Sequence, residues 1–127
     1  RPGPAVDHHL RTLREMGVEP GDEPPDVPNV VDTLVGYGLT GPLRGRTAEL
    51  ASWAEARTIV SLDFPSGHGQ EGAIEPTVTV TLALPKEGLR DQRPLLLADL
   101  GLPAALWQRI GLTVGPIFSR GRVVEIA

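Results

Sequence analysis

The apolar positions of the chain fall into short separate runs, and the spacing inside each run decides the element. Val6, Leu10, Leu13 and Met16 recur every three or four residues within Ala5 to Met16, which predicts an amphipathic helix capped by Gly17. Asn29 to Val35 is a valine-rich run broken by Asp32, and it predicts a buried strand with one polar residue near its end. A second helix is expected over Leu43 to Ala56, with Leu43, Thr47, Leu50, Ala51 and Ala54 on one stripe. Thr58 to Leu62 predicts a second buried strand. Thr77 to Leu84 begins with strict alternation of threonine and valine and predicts a third. Leu95 to Leu100 is a fourth strand candidate, Pro103 to Ile110 a short helix opened by proline, and Arg122 to Ile126 a last strand.

The segments between these runs are rich in turn residues. Arg1 to Pro4 reads as a loop, and Glu19 to Pro28 as a solvated connector dense in proline and acid. His68 to Glu75 is a polar loop, and Pro85-Lys86-Glu87-Gly88 stops the third strand. Strands alternating with helices imply crossover connections. The expected fold class is therefore α/β, a three-layer αβα Rossmann-like domain with a mostly parallel sheet and helices on both faces.

Composition narrows the function classes. At 127 residues the chain is expected to form one domain spanning 1–127. Hydrophobic residues at 40% and charged residues at 22% are those of a soluble globular protein. The absence of cysteine excludes disulfides, thiolate zinc sites and cysteine nucleophiles. A net charge of −4 argues against duplex DNA, other nucleic acid or an anionic membrane as partner. No apolar run approaches the roughly 18 residues of a membrane span, so a cytoplasmic location is expected. Eleven of the twelve basic residues are arginine, which leaves Lys86 as the single lysine. The chain opens on Arg1, and a processed or truncated segment is expected.

The candidate chemistry begins at Gly36-x-Gly38-x-x-Gly41, which matches the dinucleotide fingerprint between a predicted strand and a predicted helix. Glycines there let backbone N–H groups approach a phosphate, and Asp63 follows near where a ribose-binding acid would stand. Pro42 and Gly45 disturb that reading, because the fingerprint needs close helix–strand packing after its third glycine. A glycine-rich loop without a ligand stands beside it.

The order of motifs carries more than any one of them. Val31-Asp32-Thr33-Leu34-Val35-Gly36-Tyr37-Gly38-Leu39-Thr40-Gly41 resembles the Asp-Ala-Leu-x-Gly-x-Gly-x-x-Gly segment of the NAD(P)H-hydrate epimerases, the YjeF N-terminal domain family. Ser61-Leu62-Asp63-Phe64-Pro65-Ser66-Gly67 resembles that family's Ile-Asp-x-Pro-Ser-Gly turn. Thr77-Val78-Thr79-Val80 with Pro85-Lys86-Glu87-Gly88-Leu89 is similar to its Thr-Val-Thr-Phe strand and Pro-Lys-x-Gly-Leu turn. Asp99-Leu100-Gly101-Leu102-Pro103 is similar to its Asp-Ile-Gly-x-Pro stretch. The family's Asn-Asn-Gly-Gly-Asp-Gly loop has no counterpart here, so the chain resembles the C-terminal part of a family domain. The loop after Gly67 is also short.

What the resemblance implies is an isomerase of metabolite repair that interconverts the R and S C6-hydrates of NADH and NADPH. Gly36, Tyr37, Gly38, Leu39, Thr40, Gly41, Pro42 and Asp63 would bind that substrate, and Asp63 would be the acid and base. Asp32 and Ser66 correspond to the family's ligands for a potassium ion, and a homodimer is the expected assembly. Plainer roles stand beside each: Asp63 capping its own turn, Asp32 bonded to loop amides, Ser66 an ordinary turn serine. Lys86 would neutralise a substrate phosphate or, more plainly, be a lone exposed turn lysine. His8, His9 and His68 read as surface residues, and Trp53 and Trp107 as core-edge or interface packing. Two other function classes remain open on the same scaffold: a non-catalytic binding domain and an NAD(P)-binding dehydrogenase half.

Overall fold

β-branched residues and leucine, short spacing and flanking turns make Thr58–Leu62 a strand, and it occupies the second position of a five-stranded sheet. A computed structural model describes residues 3–127. The expected opening loop lies partly outside them, and Pro4 already begins α1 (Pro4–Glu15). The elements that follow are β1 (Asn29–Asp32), α2 (Arg46–Ala54), β2 (Thr58–Leu62), β3 (Val78–Leu82), β4 (Leu95–Ala98), α3 (Ala104–Arg109) and β5 (Val123–Glu125). One-turn 3₁₀ helices at Glu87–Leu89 and Ile117–Arg120 complete the chain. Strand order follows chain order; β1 to β4 are parallel, and β5 joins β4 antiparallel. The fold is a mostly parallel α/β sheet of Rossmann-like type.

Register determines which side chains share a face. Asp32 pairs with Ser61, Ser61 with Thr79, and Thr79 with Leu95, so these four project to one side. That side is the buried one, and Ile59 of β2 on it packs with Ala51 and Ala54 of α2 and with Leu43 and Ile74 from loops. The other side carries Val31, Val60, Leu62, Val78, Val80, Leu82 and Leu96, all exposed or half-buried. Neither α1 nor α3 contributes a buried residue, and the α1 stripe ends with Met16 at 70% exposure.

Two boundaries differ from the sequence expectation for a local reason. The second helix was expected from Leu43 but begins at Arg46, after Gly45 in the left-handed region at φ +53°. Leu43 keeps its place in the core from the preceding loop. β3 stops at Leu82 because Ala83 turns left-handed at φ +65°. No helix among the described residues is long and apolar enough to cross a membrane.

Candidate functional site

β1 delivers Asp32 to the buried face, where the residue is 3% exposed. A buried charge is costly unless hydrogen bonds replace its water. Here four donors do so. Oδ2 accepts from Ser61 Oγ at 2.7 Å and from the Ser66 amide at 2.9 Å. Oδ1 accepts from Ser66 Oγ at 2.6 Å and from the Leu34 amide at 3.3 Å. Ser66 thereby ties the turn after β2 to the end of β1. The structure thus brings together Asp32 and Ser66, the two residues matched to cation ligands.

Ser66 Oγ also accepts from the Val35 amide at 2.9 Å and stands 3.2 Å from the Val35 carbonyl oxygen. The hydroxyl has one hydrogen to offer, and Asp32 Oδ1 and the Val35 carbonyl both stand as acceptors. Carboxylate, hydroxyl and carbonyl oxygens converge at this point. Among the described residues no group of three or more His, Cys, Asp or Glu side chains gathers anywhere. The donor set is therefore all oxygen with a single charge, which suits a hard, weakly held cation.

The glycine loop leaves β1 just beyond this cluster. Gly38 and Gly41 take positive φ of +102° and +86°, and the loop turns well before α2 begins. The glycines therefore do not open the helix as the dinucleotide fingerprint requires, which removes the principal support for the dehydrogenase-half reading. Instead Gly36, Tyr37, Gly38, Leu39 and Thr40 line one wall of a 280 Å³ groove. Phe64, Pro65, Gly67, His68 and Gln70 line the other. Gly41, Pro42 and Asp63 lie outside the lining, Asp63 being the residue that precedes Phe64 in the chain.

Sequence reasoning did not single out the aromatic wall. Phe64 packs edge-to-face on Tyr37 at 5.5 Å and on His68 at 5.1 Å between ring centroids. His68 Nε2 lies 2.8 Å from the Gly88 carbonyl oxygen, joining this wall to the turn after β3. A Cβ on Gly88 would stand 3.1 Å from Phe64 Cζ, so the missing side chain gives the ring its seat. The available signal was Phe64 itself, an aromatic residue inside a glycine–proline turn.

Asp63 adopts the left-handed region at φ +69°, which aspartate tolerates better than most residues. Its amide donates to the Val80 carbonyl at 2.8 Å, holding the turn against β3. Oδ1 accepts from the Leu82 amide at 3.1 Å and from Lys86 Nζ in a close ion pair. Among the described residues Oδ2 accepts no hydrogen bond, and the side chain is 37% exposed. One oxygen is held and the other is open to solvent. Asp32 and Asp63 thus leave neighbouring strands but share no hydrogen-bond partner.

Lys86 is not the lone exposed turn lysine of the plainer reading. Its ammonium has three hydrogens, and three acceptors surround it: Asp63 Oδ1, Thr81 Oγ1 at 3.0 Å and the Leu82 carbonyl at 3.3 Å. In this arrangement the ammonium is paired and part-buried. The left-handed turn at Ala83 brings the chain back far enough for the contact.

The sequence profile of the family described as "YjeF-related protein N-terminus" matches residues 4–88, and those residues hold Asp32, the glycine loop, Asp63, Ser66 and Lys86. The chain belongs to this family. An NAD(P)H-hydrate epimerase of Dehalogenimonas lykanthroporepellens is 44% identical over 93 residues, covering 65% of this chain and 38% of the relative. An NAD(P)H-hydrate epimerase of Truepera radiovictrix is 34% identical over 93 residues, covering 65% and 42%. A bifunctional NAD(P)H-hydrate repair enzyme of Salinibacter ruber is 36% identical over 93 residues, covering 62% and 17%. The chain therefore spans less than half the length of these curated relatives. The matched segment holds both the oxygen cluster around Asp32 and the Asp63–Lys86 pair.

Proposed function

We propose that this YjeF-related segment belongs to an isomerase that interconverts the R and S C6-hydrates of NADH and NADPH. The observation that carries the reading is Asp63, part-exposed with one carboxylate oxygen held and the other without a hydrogen bond among the described residues, on the turn whose next residues, Phe64 and Pro65, line the groove opposite the glycine loop. In the reaction the ring nitrogen lone pair expels the C6 hydroxyl, and the C6–O bond breaks to leave an iminium. Asp63 in its acid form gives a proton to the departing oxygen, which leaves as water. A water then attacks C6 from the opposite face and returns its proton to the carboxylate. One group serves both steps by symmetry. The glycine loop would receive the pyrophosphate on its amides, and Tyr37 and Phe64 would offer ring faces to a heterocycle.

A potassium ion is part of the proposal, and Asp32, Ser66 and the Val35 carbonyl would hold it. When bound, it would supply positive charge that balances Asp32 and the substrate phosphates. A homodimer and a cytoplasmic location complete the proposal; sedimentation velocity and cell fractionation test them.

The catalytic reading is tested in the complete protein with each pure hydrate, following interconversion by chromatography. Wild type is expected to equilibrate the two forms, and Asp63→Ala to lose about 10²-fold or more in kcat while remaining folded. Wild-type rates in that variant would remove Asp63 from the chemistry.

A further inference from the structure

Asp63 is useful as an acid and base only if its reactive oxygen is presented reproducibly, and the residue lies on a left-handed turn outside regular structure. Two contacts hold it there, both on Oδ1. One is the Leu82 amide at 3.1 Å, donated by the last residue of β3. The other is Lys86 Nζ, the single lysine of the chain.

Lys86 is itself held. Thr81, fully buried on β3, accepts from Nζ through Oγ1 at 3.0 Å, and the Leu82 carbonyl accepts at 3.3 Å. Its three hydrogens are thus spent on three oxygens at defined positions, and the side chain is only 25% exposed. An ammonium without its own anchors would sample many rotamers and hold nothing still. The buried Thr81 removes that freedom. Thr81, Leu82 and Lys86 together form a bracket that grips one oxygen of Asp63 and leaves the other open.

We infer that Lys86 is a positioning residue for Asp63, acting on the reaction through that carboxylate and not by contact with substrate. The inference rests on the epimerase reading above and deepens it. Thr81 is the second part of the same bracket and acts one step further back. A substrate-phosphate role for the lysine would require it to leave all three acceptors, two of which belong to the sheet.

The test separates kcat from KM in the complete protein with pure hydrate. Lys86→Ala is expected to lower kcat by about 10–100-fold, the scale of a catalytic group displaced by about an ångström, with KM changed less than about 3-fold. Propylammonium, which replaces the deleted part of the side chain, is expected to restore kcat several-fold, whereas neutral 1-propanol is expected to restore nothing. Thr81→Val keeps the shape and removes the anchor, so it is expected to lower kcat by about 3–10-fold; it also carries the test should Lys86→Ala fold poorly. A Lys86→Ala variant with wild-type kcat, or one in which KM alone rises, would overturn the positioning role. Rescue by the alcohol as well as by the ammonium would reduce Lys86 to packing. Failure of wild type itself to interconvert the hydrates is a separate outcome, which overturns the epimerase reading and the inference with it.

Discussion

Removing the Asp32 carboxylate is the perturbation whose cost follows most directly from the hydrogen-bond geometry. In Asp32→Ala, four donors lose their acceptor. The Leu34 amide is part-buried and turns to water, and Ser66 Oγ turns to the Val35 carbonyl at 3.2 Å. Ser61 Oγ and the Ser66 amide have no such recourse, because both residues are fully buried and Asp32 is their one acceptor among the described residues. Each stranded buried donor costs about 1–3 kcal/mol. Relief from burying the charge itself returns part of this. The net expectation is a loss of about 3 kcal/mol, and about half of that for Asp32→Asn, which keeps one accepting oxygen. Urea unfolding of the complete protein, read by the fluorescence of Trp53 at the edge of the same core, measures it. An Asp32→Ala protein within about 0.5 kcal/mol of wild type would refute the reasoning, since the four bonds would then contribute nothing net.

Two backbone predictions test the turns around the site. Gly67 has φ +76°, and a Cβ there would meet Leu43 Cγ at 3.0 Å and Ala73 Cα at 3.2 Å. Gly67→Ala is therefore expected to destabilise by about 2–4 kcal/mol, from the left-handed backbone together with overpacking, and an unchanged urea midpoint would contradict it. Ala83 carries a side chain at φ +65°, so Ala83→Gly relieves about 1–2 kcal/mol of strain against about 0.5–1 kcal/mol of added chain entropy. A neutral or slightly stabilised protein is expected, and a loss above about 1 kcal/mol would show that the methyl packs more than it strains.

The sheet was largely legible in the sequence because its signals are local. Thr58–Leu62 is found where its apolar run predicts it, and the alternation from Thr77 marks β3. The ends of elements were less legible, and at β1 the reason is long-range. β1 ends at Asp32 and not at Val35, since Ser61 and Ser66 hold the carboxylate and Ser66 takes the Val35 amide. The antiparallel direction of β5 leaves no trace in an apolar run of three residues. Helix α1 shows that an amphipathic stripe predicts the helix without predicting its burial. At the site, Asp32 and Ser66 were readable as a pair because each sits in a motif of its own. Lys86 was not readable, because its partner Asp63 is 23 positions away and is brought near by the β2–β3 register and the turn at Ala83.

The central claim is that Asp63 breaks and remakes the C6–O bond, and isotope exchange tests it most directly. Pure S hydrate is incubated with the complete protein in ¹⁸O-labelled water, and the R product is examined by mass spectrometry against the uncatalysed background. Wild type is expected to place ¹⁸O at C6 of every R molecule it forms. Asp63→Ala is expected to add no label beyond background. An R product that keeps its original oxygen, or label entering at the wild-type rate in Asp63→Ala, would contradict the claim.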